Sequence, residues 1–82
     1  MKMTKDDLIS LIKDALDAED QITYESKMDD IPEWDSLGHL SILTSLDNAT
    51  DGKASEISEL GEAFSVNEII NILSSANLID ES

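Results

Sequence analysis

The 82-residue chain contains no cysteine and no arginine, and His39 is its only histidine. Without cysteine there is no disulfide framework, no thiolate nucleophile and no thiolate-ligated zinc. One histidine excludes a His-rich metal site and a two-histidine acid–base pair. Without arginine, nothing makes the bidentate fork that grips phosphate or guanine. Positive charge of any kind is scarce: five lysines against 19 carboxylates leave a formal net charge of -14. Such a surface repels nucleic acid and anionic lipid and attracts basic protein surfaces. No apolar run approaches the ~20 residues of a membrane span. The start, Met1-Lys2-Met3-Thr4-Lys5-Asp6, meets acidic residues instead of an apolar signal stretch. The expectation is a cytoplasmic, monomeric protein with no membrane insertion.

What the chain does have is enough apolar material to fold. Hydrophobic residues make up 40% of it, too many for a chain kept unfolded by charge alone. At this length folding removes only ~60–65% of the accessible surface, so one small domain, residues 1–82, is expected.

Leu8, Leu11, Ile12, Ala15 and Leu16 fill a helical template, which predicts a first helix at about 5–16. Thr4 is its natural N-cap, with Asp6 and Asp7 in the first turn where the dipole favours carboxylates. Residues 17–35 read as a long acidic loop, with Ile22, Tyr24, Met28, Ile31 and Trp34 as anchors. A second helix spans about 36–49, with Ile42, Leu43, Leu46 and Ala49 toward the core. Leu37 and Leu40 fall on another side, alongside Thr44 and Asp47. Gly38 in its first turn costs roughly 1 kcal/mol against alanine, and its small size admits a close neighbour. A short third helix is expected at about 55–60, stopped by Gly61. A fourth at about 65–76 opens on a Ser65/Glu68 capping box and buries Val66, Ile69, Ile70 and Leu73. Residues 77–82 read as a tail. The pattern is all-α: a small four-helix bundle with a long first connection.

One position stands apart. In Glu33-Trp34-Asp35-Ser36-Leu37, Ser36 lies where the acidic loop meets the central helix. Asp35 and Ser36 are both good N-caps, and capping alone would account for them. A phosphate carried on Ser36 would instead meet free amides and the positive end of the helix dipole. Leu37 and Leu40 would offer an apolar contact to whatever installs or uses that group. No nucleophile–base–orienter set can be assembled, so an independent enzyme is not expected.

On these residues the chain resembles the acyl carrier protein family. The length, acidity, helix order, long first loop and central Asp35-Ser36-Leu37 carry the resemblance. It implies that Ser36 bears a covalent 4′-phosphopantetheine, whose thiol holds an acyl group as a thioester. Asp35 and Leu37 would flank the attachment point, and the second helix would be the recognition helix, with Leu37, Leu40 and Asp47 meeting partners. The core-facing side of that helix would line a pocket sheltering the acyl chain. The implied partners are a phosphopantetheinyl transferase and acyl- or aminoacyl-loading enzymes with basic docking surfaces, acting in fatty-acid or specialised biosynthesis.

The chain departs from housekeeping members of that family in having only Asp47 along the stretch Gly38 to Asp47. The run from Trp34 to Leu40 is closer to carriers of specialised pathways, and an aminoacyl or peptidyl carrier shares the same serine motif. His39 falls between Leu43 and Leu46 on the wheel, either as a locally bonded core histidine or as a polar contact to the arm. Trp34 could likewise flank the arm. A calcium loop starting at Asp47 fails because Ala49 and Ser58 stand where ligands are needed. An unmodified acidic adaptor using Leu37 and Leu40 is the remaining alternative.

Overall fold

Helix α1 (Lys5–Leu16) buries Leu8, Ile12 and Leu16, the i, i+4, i+8 line that the apolar spacing lays down. The computed structural model describes residues 3–19 and 21–80. At the start of α1, Thr4 accepts from the Asp7 amide at 3.1 Å, and Asp7 accepts from the Thr4 amide at 3.1 Å. This reciprocal box stabilises the helix start by roughly 1 kcal/mol. At the other end Asp17 takes a left-handed backbone (φ 52°), and the Ala18 amide reaches back to the Lys13 carbonyl. Aspartate tolerates this conformation better than most side chains, so it serves where glycine is more usual.

Helix α2 (Ser36–Ala49) buries His39, Ile42 and Leu46. Leu43 packs part-buried against the core, whereas Ala49, expected on the core face, is exposed. Ala49 is the last helical residue, just before the Asp51-Gly52 reversal, where φ is 56° and 86°. Helix α3 (Val66–Ser75) buries Val66, Ile69, Ile70 and Leu73 as the spacing predicts. Its capping box is half made: Ser65 accepts from the Glu68 amide at 3.2 Å, without the return bond from Glu68.

The expected third helix at 55–60 is replaced by two 3-10 turns, Ala54–Glu56 and Ser58–Glu62, joined by an extended Ile57. The apolar residues explain why. Ala54, Ile57, Leu60 and Ala63 recur every third position, which aligns them on one face of a 3-10 path and scatters them on an α-helix. Gly61 lies inside the second turn and does not end it. A further 3-10 turn, Met28–Asp30, sits in the long first loop.

The end of the chain is not the free tail that its composition suggests. Asn77 (φ 62°) closes α3, and the Leu78 amide bonds to the Leu73 carbonyl at 2.9 Å. Strand β2 (Ile79–Asp80) then pairs in parallel with strand β1 (Met3–Thr4), and Ile79 is buried in the core. Asp20 of the first loop and residues 81–82 of the expected tail lie outside the described residues. The described architecture is thus mostly helical, three α-helices and 3-10 turns around one core, with a two-residue parallel pair at its edge. Among the described residues no helix is long and apolar enough to cross a membrane.

The first loop is held at defined points. Ile22, Ile31 and Trp34 are buried, and the Met28 amide bonds to the Phe64 carbonyl while Val66 bonds to that of Ser26. Tyr24 anchors differently from the others: it is 41% exposed and donates its phenol proton to Asp6 at 3.0 Å. That hydrogen bond, with partial burial and the carboxylate's charge, raises the phenol above its ordinary range. The raised value means that the tether stabilises the fold below the ordinary tyrosine range and is lost as the pH climbs through the elevated one. Titrating this sole tyrosine spectrophotometrically will give a higher midpoint in the folded protein than in denaturant, and Asp6→Asn will lower it. A midpoint indifferent to Asp6→Asn would exclude the tether.

Candidate functional site

The first turn of α2 places Asp35, Ser36 and Leu37 together on the surface, all three exposed. Asp35 is the N-cap, and its carboxylate accepts from the Gly38 amide at 2.8 Å. Its carbonyl accepts the first helical bond, from His39, also at 2.8 Å. Asp35 therefore does the whole work of capping. The Ser36 hydroxyl bonds to none of the described residues, and the amides of Ser36 and Leu37 are the first-turn donors that Asp35 leaves over. An exposed, unengaged hydroxyl thus stands on the positive end of a 14-residue helix.

Gly38 is required for this geometry. A Cβ there would collide with the Glu33 carbonyl and come within 2.8 Å of the Leu16 side chain. The close neighbour that its small size admits is thus the chain's own backbone, and α2 can begin hard against the loop that delivers it.

Beneath Ser36, one turn along, lies the most specific arrangement in the molecule. His39 is buried; its Nδ1 accepts from the Trp34 indole at 3.1 Å, and its Nε2 lies 2.9 Å from the Leu60 carbonyl. An indole N–H can only donate and a carbonyl can only accept, so the proton sits on Nε2. The Trp34 and His39 rings lie 14° from parallel with centroids 6.2 Å apart. That separation belongs to an in-plane hydrogen bond, not to face-on stacking. Phe64 sets its ring edge-on to the imidazole, with centroids 5.1 Å apart. Trp34 is only 2% exposed, so it packs in the core and does not flank an arm on the surface. Both His39 nitrogens are likewise engaged internally, in favour of the core role.

Leu37 is 76% and Leu40 58% exposed, a pair of apolar side chains on the outer side of α2. From Ser36 to Leu46 the helix has no carboxylate, while Asp29, Asp30 and Asp35 before it and Glu56, Glu59 and Glu62 after it are exposed. Asp47 is not part of this cluster. It lies eleven residues beyond Ser36, roughly 16 Å along the axis at 1.5 Å per residue. It is half-buried, with Oδ1 enclosed and without a hydrogen bond among the described residues.

No family model, curated protein or solved structure matches the chain. The chemistry is therefore argued from the site's own residues. Among the described residues no three histidine or carboxylate groups converge as a metal ion would need. Three clefts among the described residues lie away from Ser36: one of about 550 Å³ beside Thr50, Lys53 and Leu78, and two of about 420 and 330 Å³ bordered by Lys27 and Ser65. The core-facing Ile42 and Leu46 are fully buried and line none of them. What the arrangement can do is present one alcohol, rigidly, next to an apolar contact and free amides.

Asp35, Ser36, Leu37 and Leu40 lie together in the first turns of α2, and the pairing of His39 with Trp34 is visible only in the structure. The adjacency of a lone tryptophan and a lone histidine five residues apart was the available signal, since a buried indole needs an acceptor. Trp34→Phe, which leaves Nδ1 without its donor, will destabilise the fold by about 1–3 kcal/mol in denaturant titration. Gly38→Ala will cost a similar ~1–3 kcal/mol through overpacking. Long-range proton–nitrogen NMR at neutral pH will find the His39 proton on Nε2.

Proposed function

We propose that this chain is a carrier protein of the acyl carrier type, with Ser36 as the attachment point of 4′-phosphopantetheine. The observation that carries this reading is the division of labour at the start of α2. Asp35 alone caps the helix, so Ser36 has no structural task for its hydroxyl. The residues fit the group: the hydroxyl is exposed, and the Ser36 and Leu37 amides can meet a phosphate at a helix N-terminus. When bound, the arm supplies a thiol that holds an acyl group as a thioester. Everything else is presentation: α2 fixes where the arm leaves the surface, Leu37 and Leu40 form the close contact, and flanking carboxylates draw in basic enzyme surfaces. In this reading the two 3-10 turns at 54–62 take the place of the third helix of a four-helix carrier bundle. The chain carries its cargo and leaves catalysis to its partners, a phosphopantetheinyl transferase and the loading and transferring enzymes of a cytoplasmic biosynthetic pathway.

The aminoacyl or peptidyl version of the same reading is favoured by one feature. The exposed side of α2 from Ser36 to Leu46 lacks the carboxylates on which enzymes of primary fatty-acid synthesis dock. A specialised pathway, either acyl or aminoacyl, suits that surface best.

Incubation with coenzyme A and a phosphopantetheinyl transferase will add one pantetheine increment to the intact mass of the wild type and none to Ser36→Ala. An unmodified wild type, or an equally modified variant, would sink the proposal. With a loading enzyme in hand, reversing Asp29 and Asp30 will slow association with a strong salt dependence. Leu37→Ala will weaken the complex at every ionic strength.

A further inference from the structure

The side of α2 that would have to open to admit a cargo is closed by groups that are expensive to displace. Directly beneath Ser36, the His39 ring is wedged between the Trp34 indole and the Leu60 carbonyl, with Phe64 edge-on to it. Trp34, His39 and Leu60 are 2%, 5% and 1% exposed, and Ile42 and Leu46 behind them are completely buried. The three hydrogen-bonded residues come from the first loop, α2 and the 3-10 turn Ser58–Glu62, so the plug ties three separate segments together on this side of α2. An alkyl chain entering here would have to part α2 from the 54–62 segment. That movement would break the His39–Leu60 bond and strand a buried imidazole nitrogen and a carbonyl without partners. Gly38, pressed against the Glu33 backbone and Leu16, leaves no slack on the loop side.

We infer that the Trp34–His39–Leu60 plug keeps the cargo out of the protein interior, so that this chain carries short or polar acyl groups held in solvent and not long alkyl chains stored in the core. The inference rests on Ser36 bearing the arm, and it adds the class of cargo. A hydroxyacyl or aminoacyl group loses nothing by staying hydrated, whereas a long alkyl chain left outside exposes apolar surface.

The test uses a phosphopantetheinyl transferase with butyryl- and octanoyl-coenzyme A to load the wild type. Intact mass is read first, because failure to load at all counts against the attachment site and not against the plug. On the loaded proteins, hydroxylamine will cleave both thioesters at the same rate, and the amide resonances of Ile42, Leu46 and Leu73 will be the same in both forms. Several-fold slower cleavage of the octanoyl form, with shifts of those core amides, would overturn the inference. Trp34→Phe, which removes the indole donor but keeps an aromatic ring, loosens the plug with least damage to the packing. In that variant the octanoyl form will shift the core amides and the butyryl form will not. If folded Trp34→Phe and His39→Ala both stay as indifferent to chain length as the wild type, the plug is not what excludes the cargo.

Discussion

A single neutral imidazole holds this small domain's irregular parts to its regular ones. Among the described residues, the His39 side chain hydrogen-bonds at once to the first loop, through the Trp34 indole, and to the 54–62 segment, through the Leu60 carbonyl. Neither of those segments has an α-helical or sheet ladder of its own to fix its position. A domain of this size has little apolar area to spare, so a buried polar contact satisfied on both sides matters for specifying one arrangement. The indole, too large to leave wet and unable to remain buried without an acceptor, is anchored by the same bond. With Trp34 in place, the chain reaches Asp35 in an extended conformation, Gly38 fits against Glu33, and α2 starts where it does.

The candidate site follows from that constraint. Because the loop is pinned immediately before the helix, Asp35 is held where its carboxylate can cap Gly38, and Ser36 is held outward with its hydroxyl unengaged. The same buried contact lies one turn below the serine. The features that give Ser36 a rigid, accessible setting therefore also seal the interior beneath it. Charge and contact are separated along the surface: carboxylates before and after α2 create the long-range field, while the helix itself offers Leu37 and Leu40. In the proposed carrier reading, long-range steering and short-range docking would fall to different residues, as expected where on-rate and complex lifetime are set separately.

Helices α1, α2 and α3 were legible because each writes its own buried face at a 3.6-residue period and announces its start with Thr4, Asp35 or Ser65. Four things were not. The 54–62 segment repeats its apolar residues every third position, and over so short a stretch that period is hard to tell from a helical one. The end of the chain, with only Leu78 and Ile79 as apolar residues, gives no alternation to mark a strand. Its pairing with Met3–Thr4 exists because the Asn77 turn brings it there. Ala49 lies where the helical wheel points inward, but the helix ends there and Ala49 borders the open cleft beside Thr50, Lys53 and Leu78. Trp34 and His39 were each visible as residues with two alternative uses, and only their mutual contact removed the alternatives.

The acidic character, the absence of thiol and guanidinium chemistry, the three α-helical spans and the place of Ser36 at a helix start can all be read from the order of residues alone. These are properties of composition and of local period, which need no distant neighbour to take effect. Packing settles which of two capping residues caps, where the indole and imidazole go, and that β1 and β2 pair. It also settles that the core side of α2 is shut. Each of these depends on contacts between residues far apart in the chain, or on a choice between hydrogen-bond partners that are locally equivalent. Such choices are made by packing, because burial is what makes an unpaired donor or acceptor costly.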